Sequence, residues 1–177
     1  MNKKSTKPIR EFSYAVDARE FVMYFFPLNE VPPEEAKELR DFYELWSSLK
    51  GSKKIPSRKD ISFETLKGWH TNIRLVDLGE SMLSPKRNLI LGELYKQYWG
   101  TDTMYQQIIE SDRTSDRDKL NYKESITCFL DYNYGLSIGV APNPKGSFRK
   151  IAWLDLPLSN GDNDDITFLI TALIPLD

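Results

Sequence analysis

The sequence predicts an α+β domain built on an antiparallel sheet, and three observations predict it. First, Ile151 to Leu158 and Ile166 to Leu176 are apolar, β-rich runs flanking the polar stretch Ser159 to Asp165, the pattern of a hairpin with a longer loop. Strand side chains alternate, so Ala152, Leu154, Leu156 and Leu158 share one face, as do Ile166, Phe168, Ile170, Ala172 and Ile174. That apolar side needs a roof, expected from the helical turns of the middle of the chain. Second, Pro32-Pro33-Glu34-Glu35 opens a helix: proline fits the first turn, and acids there complement the positive end of the macrodipole. Third, the elements run helix, two strands, short helices, one longer helix, three strands. Without βαβ alternation, a parallel doubly wound sheet is disfavoured.

Taken in order, residues 1–11 are basic and polar through Lys3, Lys4, Lys7 and Arg10, a tail or a phosphate-gripping arm. Phe12 to Leu28 is too apolar to float in water. It is expected to pack on the domain or on a second copy of it, and its composition does not choose between helix and strand. Residues 1–32 are therefore taken as an extension and 33–177 as the domain proper. Ala36, Leu39, Tyr43, Trp46 and Leu49 recur at helical spacing, widened by Phe42, and predict one helix of roughly 17 residues. Gly51 ends it. The set Lys50, Lys53, Lys54, Arg58 and Lys59 is helix-end charge or an anion site.

Pro56 to Asp60 turns into a short helix capped by Asp60 or Ser62 and stopped by Gly68. Strands are expected over Thr71 to Leu78 and Arg87 to Gly92, with a turn over Gly79 to Lys86 between them. Short helices follow at Leu94 to Trp99 and Met104 to Glu110, then a charged turn over Ser111 to Lys119. A longer helix, Leu120 to about Asn133, precedes a strand over Gly135 to Ala141 and the closing hairpin.

Composition bounds the function. At 177 residues, with 40% hydrophobic and 12% aromatic residues, the chain suits one domain with a rather aromatic core. Net charge is −2 and the isoelectric point about 5.6, so no overall positive field recruits nucleic acid or an anionic membrane. A single cysteine, Cys128, allows no internal disulfide and fits a reducing compartment. Ser5 to Phe12 lacks the apolar core of a signal peptide. The apolar run Phe21 to Phe26 is far below the roughly 20 residues that span a bilayer. A cytoplasmic location is expected.

The element order resembles that of PAS domains, in which a five-stranded antiparallel sheet is covered on one face by short helices; here an N-terminal helix precedes it. Trp46-Ser-Ser-Leu-Lys-Gly51 and Ile55-Pro-Ser-Arg-Lys-Asp-Ile61 resemble the entry signature of a bacterial family of small stand-alone PAS-like proteins, long described as a domain of unknown function. Arg87-Asn-Leu-Ile-Leu-Gly92, Trp99-Gly100-Thr-Asp102 and Leu156-Pro157-Leu158 resemble its later segments, so the likeness covers about residues 35 to 174. The family often has a second glycine shortly after the position of Gly100, where this chain has Met104-Tyr105. The resemblance implies a sensory or regulatory domain, not an enzyme, that binds a small molecule or a signalling protein. With no output domain on the chain it would signal in trans, and pairing through N-terminal elements implies a homodimer.

The available chemistry is narrow. His70 is the sole histidine and lacks the partners for zinc, which needs about four nitrogen or sulfur ligands. There is no glycine-rich phosphate loop and no nucleophile elbow. Asp162-Asn-Asp-Asp165 lacks the spacing of a calcium loop. The resemblance disfavours haem and photochemical flavin: residues 116–133 hold no histidine and no Asn-Cys-Arg-Phe motif occurs. No cofactor is expected. The candidate ligand contacts are aromatic, namely Tyr95, Tyr98, Trp99, Tyr105, Phe129, Tyr134, Trp153 and Phe168, each equally at home in a filled core. Arg87 joins them, with Arg74 beside it, because a carboxylate or phosphate favours a guanidinium. The alternatives are a small enzyme using carboxylates such as Asp77, Glu93 or Asp155, and a ligand-free interaction module.

Overall fold

The computed structural model describes residues 7–81 and 84–176; Lys3 and Lys4 of the basic tail, and Met82 and Leu83 of the expected turn, lie outside the described residues. Seven strands form one antiparallel sheet: β1 (Arg10–Val16), β2 (Arg19–Pro27), β3 (Ile73–Asp77), β4 (Arg87–Leu91), β5 (Asn133–Pro142), β6 (Phe148–Ser159) and β7 (Ile166–Pro175), in the spatial order β1-β2-β5-β6-β7-β3-β4. The helices are α1 (Arg40–Leu49), α2 (Glu93–Trp99), α3 (Met104–Ile108) and α4 (Asp116–Leu130). The antiparallel α+β class stands, and the expected five-stranded count is corrected to seven.

The two extra strands come from the stretch whose composition did not decide between helix and strand. Phe12, Tyr14 and Val16 on β1, and Phe21, Met23 and Phe25 on β2, are buried at alternate positions, the period of a strand. Asp17 and Ala18 both take positive φ, 45° and 59°, and Val16 pairs with Arg19, which makes a two-residue primed turn. The hairpin then adds to β5, with Phe21, Met23 and Phe25 opposite Gly139, Ser137 and Gly135. The apolar content of this segment is thus buried within the chain itself.

Register divides the sheet into two faces. Arg74 pairs with Thr171, Thr171 with Asp155, Asp155 with Gly135 and Gly135 with Phe25, so these residues form one row across the sheet on one face. Trp153 shares that face and meets Trp99 of α2 at 5.1 Å between ring centroids. Here α2, α3 and α4 form the cover. The opposite face carries Leu154, Leu156, Ile170 and Ala172 and lies under α1 and the turns before it. Tyr43 rests 5.7 Å from Tyr134, and Trp46 Nε1 donates to the Pro157 carbonyl at 2.9 Å. This corrects the expected roof in two ways. Helical segments cover both faces, and the face that is apolar at its centre is roofed by α1, while the mid-chain helices cover the face that contains the buried Arg74, Asp155 and Thr171.

Local corrections have local causes. The single helix expected from Pro32 divides into a 3-10 segment, Glu34–Leu39, itself kinked where Ala36 takes a non-helical φ of −127°, and α1, which starts after Leu39. The cap before Asp60 is Ser57, whose hydroxyl accepts from the Lys59 amide while Asp60 accepts from the Ser57 amide at 2.7 Å. Helix α4 starts at Asp116, inside the expected charged turn, because Ser115 caps it by accepting from the Asp118 amide. No helix among the described residues is long and apolar enough to cross a membrane.

Candidate functional site

Arg74 leaves β3 beneath the mid-chain helices, where it and Asp155 are almost fully buried, with residue exposures of 4% and 2%. A lone buried charge is costly, so each needs its partner. Arg74 Nη2 lies 3.6 Å from Asp155 Oδ1, and Thr171 Oγ1 donates to the same oxygen at 2.5 Å. Tyr95 of α2 places its ring 4.7 Å below the guanidinium carbon, an attraction of a cation to the negative face of the ring. Arg74 Nε and Nη1 have no hydrogen-bond acceptor among the described residues. Burial pushes the Asp155 carboxyl above its ordinary range, opposed by the Arg74 charge and the Thr171 hydrogen bond.

A cavity of about 30 Å³ adjoins this row, lined among others by Arg74, Lys86, Tyr105, Tyr122, Phe129 and Asp155. Lys86 is buried at the far side, with Nζ donating to the Leu78 and Ser81 carbonyls at 2.5 and 2.9 Å. Desolvation lowers its pKa. Burial also raises the Tyr122 and Tyr95 hydroxyls above their ordinary value, which keeps both protonated at neutral pH. A larger groove of about 550 Å³ lies at the turn end of the β1–β2 hairpin. It is open to solvent, and two of its polar residues, Ser115 and Asp118, are engaged in the α4 cap. The chemistry is concentrated at the small interior cavity.

The residues singled out from sequence separate into three groups. Tyr105 and Phe129 line the cavity. Tyr95, Tyr98, Trp99 and Trp153 are buried in or beneath α2 but do not line it. Tyr95 supports Arg74, the Tyr98 carbonyl accepts from Arg19 Nε at 3.0 Å, and Trp99 and Trp153 pack with Phe21. Tyr134 and Phe168 lie on the opposite face, where Tyr134 stacks on Phe26. Arg87 is exposed on β4 and pairs with Asp77 at 3.2 Å, away from the cavity. Lys86, Tyr122 and Thr171 were not anticipated. Thr171 was legible only in part: a threonine alternating with Leu169 and Leu173 placed it opposite the apolar face, but which residue it met depended on register. The carboxylates Asp77 and Asp155 project from opposite faces of the sheet, and the basic set at residues 50–59 is spread among separate partners, with Lys53 on Asp60 and Lys54 over Tyr132.

No family model matches the chain, and no curated protein matches it. Among solved structures, an RNA-binding light-oxygen-voltage receptor aligns with 90% of this chain and 40% of its own length, with a TM-score of 0.44 and 10% sequence identity. The chain thus spans less than half of that receptor, and a likeness of this degree assigns neither family nor function.

Proposed function

We propose that the chain is a PAS-like sensory or regulatory domain that takes a small molecule into the cavity beside Arg74 and acts in trans by changing its association with a protein partner. The observation that carries this reading is a buried guanidinium with two unpartnered nitrogens at the wall of an interior cavity. Buried polar groups left without partners cost about 1–3 kcal/mol, more when charged, and binding a ligand there recovers that cost. Strands β3 to β7 with mid-chain helices on one face also match the arrangement that the PAS resemblance implies. The cavity volume limits the ligand. About 30 Å³ corresponds to one or two water-sized spheres, whereas drug-sized ligands occupy roughly 300–1,000 Å³. Haem, flavin and nucleotides do not fit this conformation. Binding rather than catalysis, a cytoplasmic setting and no nucleic-acid partner belong to the same proposal. Native mass spectrometry of protein purified from its own host tests it. A retained small-molecule mass is expected; protein without added mass, unresponsive to any ligand panel, contradicts it.

A ligand-free interaction module is the second reading, favoured by the half-exposed apolar side chains Val22, Tyr24 and Ile138, beside Val140, on the outer face of β2 and β5. We propose a homodimer that pairs through this outer patch, because the other apolar side chains of the N-terminal hairpin are buried within the chain. Light scattering at tens of micromolar is expected to give twice the 20.6 kDa chain mass, and a monomer removes that part of the proposal.

A further inference from the structure

We propose that the cavity beside Arg74 is an anion site selective for a small planar monovalent oxyanion, of the size of formate or nitrate. This deepens, and rests on, the reading of that cavity as a ligand site. Charge is the first argument. The charged groups lining the cavity are Arg74 and Lys86 against the single carboxylate Asp155, a net positive interior where low dielectric strengthens attraction for an anion. Hydrogen-bonding capacity is the second. Asp155 Oδ1 already serves Thr171 and faces Arg74, whereas Arg74 Nε and Nη1 have no acceptor among the described residues. Donors are in excess at this wall, so the missing partner is an acceptor. A cation would need several oxygen ligands, and the one carboxylate at the wall already faces Arg74 and Thr171, while Lys86 adds positive charge with its ammonium held by the Leu78 and Ser81 carbonyls. Size is the third argument. A cavity of about 30 Å³ excludes sulfate with its hydration shell and any extended dicarboxylate, while a planar triatomic or tetratomic ion matches one or two displaced waters. The Tyr95 ring covers one guanidinium face, and the ion would bond to the unpartnered N–H groups of Nε or Nη1.

The test is thermal unfolding and calorimetric titration of the full chain with sodium formate and sodium nitrate, with ionic strength held constant by sodium methanesulfonate, whose anion is too bulky. The expected result is a saturable rise in Tm with formate or nitrate and none with methanesulfonate. The double variant Arg74→Met/Asp155→Asn removes both charges together, so no uncompensated charge is left buried, and its affinity is expected to fall about 10- to 100-fold. A variant that does not fold leaves the wild-type protein to decide, through the Arg74 Nε–H resonance: a saturable shift with formate or nitrate supports the site, and an unmoved resonance overturns it. Equal responses to all three salts also overturn it. A larger retained molecule seen by mass spectrometry, together with no response to either small anion, would overturn the anion class and leave the sensory reading standing.

Discussion

At the scale of single residues, the row Arg74, Thr171, Asp155 sets the electrostatic cost of the interior. Replacing a buried ion pair with apolar groups is often tolerated, but removing one partner leaves a charge with no counterion. Asp155→Ala is therefore expected to lower unfolding free energy by about 3–5 kcal/mol, measured by urea denaturation, while the double variant without both charges loses markedly less. Equal losses for the two would show that the pair is not energetically coupled. A second residue works against the fold. Ala18 holds φ at 59°, a left-handed conformation that glycine adopts at little cost. Relief of left-handed strain, roughly 1–2 kcal/mol, outweighs the roughly 0.5–1 kcal/mol of extra backbone entropy that glycine loses. Ala18→Gly is therefore expected to stabilise the protein by up to about 1 kcal/mol, and no gain would mean that the turn relaxes in solution. Arg74 was legible in the sequence as a polar residue in an apolar strand. Its importance over Arg87 was not, because both are arginines on adjacent strands and only the helical cover, set by tertiary packing, distinguishes the buried one.

At the scale of elements, the β1–β2 hairpin and the caps carry the account. The outer edge of β1 is covered by α4: Asn121 Nδ2 donates to the Ser13 carbonyl at 3.1 Å and Arg10 pairs with Glu124. Such cover blocks strand addition at that edge. At the loop after α1, the Asp60 carboxylate is held below its ordinary value of 3.8, chiefly because the Ser57 amide donates to it and then because of Lys53. The folded form binds this proton more weakly than the unfolded chain, so the stabilisation is complete above about pH 4 and is lost as pH falls through the depressed folded value. Asp60→Asn is expected to cost about 1 kcal/mol at neutral pH and close to nothing near pH 2; a pH-independent difference in urea midpoints would contradict this. The strands β3 to β7 and helices α2 and α3 were legible to within a few residues because turns and alternation marked their ends. The hairpin was not, since Phe21 to Phe26 is apolar at consecutive positions and a continuous run carries no period.

At the scale of the whole molecule, one sheet is covered on both faces and its two faces differ in kind. The face under α1 is apolar throughout its centre, through Leu154, Leu156, Ile170 and Ala172, and accounts for stability by area removed from water. The face under α2, α3 and α4 contains the ion pair and the cavity, so the cavity wall is shared between the sheet and the mid-chain helices. Sequence alone predicted the mid-chain roof but assigned it to the wrong face, because parity along a strand gives two faces without saying which cover each receives. A ligand at Arg74 would contact sheet and helices together and stabilise the native state by mass action. Diffraction from crystals grown with formate or nitrate tests this most directly. The account predicts non-water density of that anion within hydrogen-bonding distance of Arg74 Nε or Nη1, bounded by Tyr105 and Tyr122; a cavity closed by side chains, or holding water alone at saturating anion, would contradict it.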